Sequence, residues 1–229
     1  MHMPNVSRRT VLGSAIGTAI GSAVPRAAWA QGTPRRGGTL VVAADTQPRN
    51  LNPAIVASNG VFYVASKVIE PLAEMSYDGT GLVPRLATEW SGSADGRSAT
   101  FKLRPGVSWH DGKPFSSADV AFSAMQVWKK AQNLGRVLFN DLEAVDTPDG
   151  GTAIFRFSQP TPFQLIRNAL PAVTAVVPKH LYEGTDVTTN PANTRLIGTG
   201  PFRFIEHKPG EYYRLAKNTA YWDRDKPYL

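Results

Sequence analysis

The 229-residue chain contains no cysteine. That absence removes a disulfide framework, a thiolate zinc site and a cysteine nucleophile together. Internal repeats and low-complexity tracts are also missing, although 20 glycines and 18 prolines make the chain rich in turns. Collagen, coiled coil and bulk disorder are therefore excluded. Hydrophobic residues make up 42% of the chain, an ordinary value for a soluble globular protein and enough for one compact domain or two small ones. The run that invites a membrane reading, Val11–Val24, is about 14 residues long and glycine-containing, where a span needs roughly 20.

The net charge of +7 points towards nucleic acid until its distribution is read. Residues 1–30 hold Arg8, Arg9 and Arg26 and no acid, so the rest of the chain carries only +4. The order is a basic pair, a short apolar run of small residues, then Ala28-Trp29-Ala30 before Gln31. That is the three-part order of an export signal with an A-x-A cleavage site. Ser7-Arg8-Arg9-Thr10-Val11-Leu12 resembles a twin-arginine signal, with Val11 and Gly13 where Phe and Lys are usual; an ordinary secretory signal has the same three-part order. Either route leads out of the cytoplasm. With no cysteine to carry a lipid, the expected product is freely diffusing and periplasmic, with no stable membrane insertion.

Gln31–Gly38 reads as a linker and Thr39–Ala44 as a short buried strand. From Ser58 to Glu70, Val61, Phe62, Ala65, Val68 and Ile69 recur at helical spacing up to the stop at Pro71. Phe101 and Leu103 alternate with Thr100 and Lys102 in a strand after the turn Ala94–Arg97. Ser116 and Asp119 open a helix whose apolar face holds Val120, Ala124, Val127, Trp128 and Ala131. Leu142–Asp146 and Thr152–Phe157 flank a turn at 147–151. Pro162–Leu170 reads as a helix, Val173–Val177 as a buried strand, and Pro201–Glu206 with Glu211–Lys217 as a hairpin around Lys208-Pro209-Gly210.

Catalytic equipment is scarce. Ser108, His110 and Asp111 adjoin in sequence, but triads are assembled from distant segments and no G-x-S-x-G elbow is present. His2, His110, His180 and His207 show no metal-ligand spacing. Gly198-Thr199-Gly200 lacks the third glycine and the lysine of phosphate loops; it reads as backbone that approaches another segment closely. The aromatics Tyr212, Tyr213, Tyr221, Trp222 and Tyr228, interleaved with Lys and Arg, could stack on single-stranded nucleic acid. Core packing accounts for them more simply in an exported chain, and no nucleic-acid partner is expected.

The stretch Leu86–Ser123, LATEWSGSADGRSATFKLRPGVSWHDGKPFSSADVAFS, resembles the extracytoplasmic solute-binding proteins of peptide-type ABC importers, family 5. Leu51-Asn52-Pro53 stands where that family commonly has Leu-Asp-Pro, and Gly198–Leu229 is similar to its GTGPY…YW…PYL pattern. The resemblance covers essentially the whole chain after residue 30. It implies an α/β fold of the periplasmic-binding-protein type II, here incomplete. Segment 31–55 would open the first lobe, 56–190 form an inserted α+β subdomain, and 191–229 return into the first lobe, with the second lobe missing. It also implies capture of a small peptide between two lobes and delivery to an ABC transporter permease, with no cofactor and no catalysis. Ala57, Ser58 and Asn59 match the family's first-lobe positions that face the ligand. Ala57 replaces an acidic residue there, and Ser58 and Asn59 have the alternative of capping the helix that follows. A nickel chelate, glutathione, an opine or an oligosaccharide is the alternative class of solute. Alone, this chain is expected to bind weakly or to be a nonfunctional fragment.

Overall fold

Thr39–Ala44 has the composition of a buried strand, yet it is extended and unpaired in the computed structural model, which describes residues 36–229. Leu40, Val41 and Val42 are 67%, 87% and 67% exposed. A strand persists where a neighbour takes its backbone N–H and C=O groups, and among the described residues no strand lies beside this run. Its flanks are tied down nevertheless. Gly37 N donates to Tyr228 O at 2.7 Å, and Tyr213 Oη donates to Pro48 O at 3.2 Å. The export-signal reading of 1–30 lies outside the described residues.

Helix α1, Asn59–Ala65, starts where the periodicity places it but ends well before Glu70. The cause is a segment far along the chain. Gly200 N takes the Val68 carbonyl and Phe202 N the Lys67 carbonyl, both at 2.9 Å. Residues 67 and 68 therefore offer their carbonyls sideways instead of along a helix. Ser66 Oγ also donates to Phe62 O at 2.6 Å, a side-chain bond that favours the end of the helix.

Downstream of Pro71 the strands pair antiparallel throughout. β1 (Ala73–Met75) and β2 (Leu82–Pro84) make a small ribbon. β3 (Ala87–Gly92), β4 (Ser98–Leu103), β5 (Leu142–Asp149) and β6 (Thr152–Phe157) form a sheet ordered β3-β4-β6-β5. The period-two pattern of β4 turns Ala99, Phe101 and Leu103 inward. Helix α2 (Ser117–Phe122) begins with the capping box expected at Ser116: Ser116 N donates to Asp119 Oδ2 at 2.9 Å. It continues as a π-helical turn, Ser123–Trp128, that buries Ala124, Val127 and Trp128. Trp128, Phe139 and Phe155 form a ring cluster with centroids 5.8 to 6.3 Å apart, and Phe101 joins it at 5.0 Å from Phe155. This is the centre of the core.

Among the described residues the remaining α-helices are α3 (Asn133–Leu138), α4 (Phe163–Val173) and α5 (Lys179–Tyr182), and Pro191–Asn193 makes a 3-10 turn. Val173–Val177 is buried as expected but is not a strand. Val173 ends α4, Ala175 makes an isolated bridge to Pro71, and Val176 N donates to Glu70 O at 3.2 Å. Strands β7 (Phe202–Lys208) and β8 (Tyr212–Lys217) form the expected hairpin.

Gly198-Thr199-Gly200 is the close approach its glycines imply. A Cβ on Gly198 would overlap the Val68 carbonyl, and one on Gly200 would stand 2.6 Å from Lys67 O. His110 clamps the same segment: its backbone N donates to Gly198 O at 2.8 Å, and its Nδ1 accepts from Gly198 N at 3.2 Å. Its Nε2 carries the proton and donates to Gly200 O at 2.9 Å. Only neutral imidazole makes both ring bonds, and burial pushes His110 from its ordinary 6.5 down to about 4. The unfolded chain binds a proton below pH 6.5 that the native state refuses until about pH 4. Stability should therefore be full above pH 6.5 and fall by at most about 3 kcal/mol between the two values. Urea midpoints measured across that range should show the limb, and His110→Leu should flatten it.

Candidate functional site

The positions that the resemblance singles out, Ala57, Ser58 and Asn59, follow a segment held by buried hydrogen bonds. Asn52 is fully buried; its Nδ2 donates to Asn193 Oδ1 at 2.9 Å and to Tyr182 Oη at 3.1 Å. Its Oδ1 accepts from Ala54 N at 2.9 Å, and Leu51 N donates to Asn193 O at 2.8 Å. Leu51, Asn52 and Ala54 are thereby pinned to the segment around Asn193. The chain then emerges, and Ala57, Ser58 and Asn59 are all exposed at the start of α1.

The three residues do different things. Ser58, with φ −150° and ψ 154°, is the N-cap of α1, and its Oγ accepts from Val61 N at 3.4 Å. Asn59 is the first helical residue, and its side-chain amide has no hydrogen-bond partner among the described residues, which leaves one acceptor and two donors open. Ala57 offers only a methyl group, so this ledge lacks a carboxylate. The loop before it packs close, since a Cβ on Gly60 would stand 2.5 Å from Thr46 Oγ1 and 3.4 Å from Pro48 Cδ.

A second polar centre joins three segments beneath the surface. Glu70 is 2% exposed and accepts from Tyr221 Oη at 2.6 Å, Thr199 Oγ1 at 2.9 Å and Trp222 Nε1 at 3.1 Å. Burial raises its pKa above the ordinary 4.5, against the pull of those three donors. The guanidinium of Arg104 stacks on Trp222, 3.8 Å from the ring centroid. Sequence reading missed both Glu70 and Asn52 as organisers. The available signal was an acid directly after the apolar Val68-Ile69, and an asparagine within an otherwise buried stretch.

The structure does not assemble Ser108, His110 and Asp111 into a relay. The ring nitrogens of His110 are engaged by Gly198 and Gly200, Asp111 pairs with His180 Nε2 at 2.7 Å, and Ser108 bridges Pro114. Among the described residues no three His, Asp or Glu side chains stand together at metal-holding distance. No helix among them is long and apolar enough to cross a membrane. Of the late aromatics, Tyr221 is buried and Tyr213 and Trp222 pack against the core, whereas Tyr212 and Tyr228 are 45% and 39% exposed.

Comparison with known proteins agrees with this frame. Residues 81–229 match the family described as bacterial extracellular solute-binding proteins, family 5 Middle. The dipeptide-binding protein of Escherichia coli K12 is 30% identical over 208 residues, which cover 80% of this chain and 38% of that protein. Among solved structures, the oligopeptide-binding protein AppA of Bacillus subtilis, in complex with a nonapeptide, is similar with a TM-score of 0.73 at 25% identity. The match covers 83% of this chain and 38% of AppA. NikZ of Campylobacter jejuni, in complex with Ni(L-His), is similar with a TM-score of 0.68 at 31% identity, over 78% of this chain and 35% of NikZ. The chain thus spans less than two fifths of the length of each of these relatives. The incomplete binding-protein fold implied by the motifs is the fold observed, and the chain belongs to family 5 of the bacterial extracellular solute-binding proteins.

Proposed function

We propose that this chain is part of the periplasmic substrate-binding component of an ABC importer, exported by the signal in residues 1–30, with a short peptide as its most fitting solute. The observation that carries the reading is the exposed Ala57–Asn59 ledge with the unpaired Asn59 amide, on a family 5 fold whose relatives include dipeptide- and oligopeptide-binding proteins. An amide that both donates and accepts matches a peptide main chain, which does the same. Two lobes would close over the solute, and the closed form would dock on a membrane permease. Segments 31–55 and 191–229 would belong to the first lobe and 56–190 to the subdomain inserted in it. The exposed Leu40–Val42 run supports a need for further chain to complete the lobe, and predicts weak binding by these residues alone.

A second reading rests on the likeness to NikZ with its nickel–histidine ligand. Ala57 favours it, because a ledge without a carboxylate has nothing to pair with a peptide's terminal amine. Trialanine titrated calorimetrically into protein purified from its own periplasm separates the roles of the two polar residues. Asn59→Ala should weaken binding about fivefold to tenfold, the loss of one or two hydrogen bonds. Ser58→Ala should mainly lower stability, by about 1 kcal/mol, through loss of the cap. Unchanged affinity in Asn59→Ala would remove Asn59 from the site, and saturable uptake of nickel–histidine without trialanine would favour the second reading.

A further inference from the structure

A cavity of about 380 Å³ lies between the loop around Gln47–Leu51 and the β7–β8 hairpin, within the range that small-molecule sites occupy. Its walls are braced. Gln47 Oε1 accepts from Gly210 N at 3.0 Å, which turns Gln47 Nε2 towards His207 Nε2, also at 3.0 Å. That nitrogen must therefore accept, and the imidazole proton sits on Nδ1. The His207 ring lies stacked on Tyr213, with centroids 4.1 Å apart and planes 9° from parallel. Tyr213 in turn is tied through its hydroxyl to Pro48 O. Loop and hairpin thus hold each other, and the imidazole has one fixed orientation.

Two donors on residues that line this cavity are unanswered. Arg49 makes no hydrogen bond or ion pair among the described residues, and neither does His207 Nδ1. No acidic side chain lines the space. Thr194, on the remaining wall, donates its hydroxyl to Pro191 O at 3.0 Å and so offers only lone pairs inward. A cationic fork and a neutral N–H donor, with no anion beside them, match a planar anion with two oxygens.

We propose that this cavity is a receptor for the carboxylate group of a small solute, gripped by the Arg49 guanidinium and the His207 imidazole. It is distinct from the Ala57–Asn59 ledge and stands whether or not peptides are captured there. The Thr194 hydroxyl accepts a hydrogen bond from a hydroxyl or amine of the same solute.

The test is an NMR titration at constant ionic strength that follows the His207 ring and the Arg49 side chain. The titrants are sodium acetate, acetamide as its neutral match without carboxylate, and inorganic phosphate. Acetate should shift both side chains and saturate, while acetamide should shift neither. Arg49→Gln should weaken acetate binding at least about tenfold, as loss of a charged hydrogen-bonding partner does. Its unfolding midpoint should stay unchanged, because Arg49 is exposed and unpartnered. Shifts that never saturate, or that survive Arg49→Gln, would overturn the site. Tighter binding of phosphate than of acetate would overturn the carboxylate assignment. Neither result alters the trialanine affinities of the Asn59 and Ser58 variants, so this inference and the peptide reading fail separately.

Discussion

Gly198→Ala should lose at least about 4 kcal/mol of stability or fail to fold, an exceptional cost for a single methyl group. The added Cβ overlaps the Val68 carbonyl and stands 3.1 Å from Ile69 Cα, both backbone atoms with no rotamer to yield. The glycine cannot retreat either, because its N–H and C=O are both held by His110. The Val68 carbonyl is fixed in turn by Gly200 N. Every route of relief therefore breaks a buried hydrogen bond. Gly81→Ala is the matched control: nothing lies within 4 Å of its added Cβ, and the change should stay within about 0.5 kcal/mol. Urea unfolding of the two variants, followed by circular dichroism, compares them directly. Equal midpoints would show that the 198–200 segment is not held against residues 67–69 as described.

Glu70→Ala should cost about 3 kcal/mol, because it strands three donors from two other segments in a site closed to water. Tyr221, Trp222 and Thr199 all converge on this carboxylate, and Val176 N takes its backbone carbonyl. Glu70→Gln should cost less, since the amide keeps one acceptor, but its NH₂ group then faces at least one of the three donors. The pH dependence runs opposite to that of His110. Burial raises the native Glu70 pKa above 4.5, so the native state keeps a proton that the unfolded chain releases. Its contribution is complete below pH 4.5 and fades as pH climbs through the native value. Glu70→Gln removes that limb and leaves the His110 limb in place. A Glu70→Ala variant as stable as the parent would contradict the hub.

Local devices were legible in the sequence, and devices with distant partners were not. The Ser116–Asp119 box, the alternation in β4 and the β7–β8 turn depend on residues a few positions apart, and each stands where the pattern puts it; the β5–β6 turn is tighter than the expected 147–151, because β5 continues through a register shift to Asp149. Thr39–Ala44 misled because burial of an apolar run requires a neighbour that its own residues cannot specify. α1 is short because its next carbonyls are taken by Gly200 and Phe202, more than 130 positions later. The ledge at Ala57–Asn59 came from family resemblance rather than from local chemistry; the Ser58 cap is the part that the residues alone disclosed. Asn52 and Glu70 escaped notice because the partners of their side chains lie 129 to 152 positions away, apart from the neighbouring Ala54.

Capture without chemistry is the central proposal, and whatever co-purifies with the protein from cells that make it tests it most directly. Native mass spectrometry, with release and sequencing of whatever co-purifies, should recover short peptides with intact backbones in place of a single defined product. A metal–histidine chelate or an opine in place of peptides would contradict the peptide reading. Cleaved fragments appearing as peptides are added back would contradict capture itself.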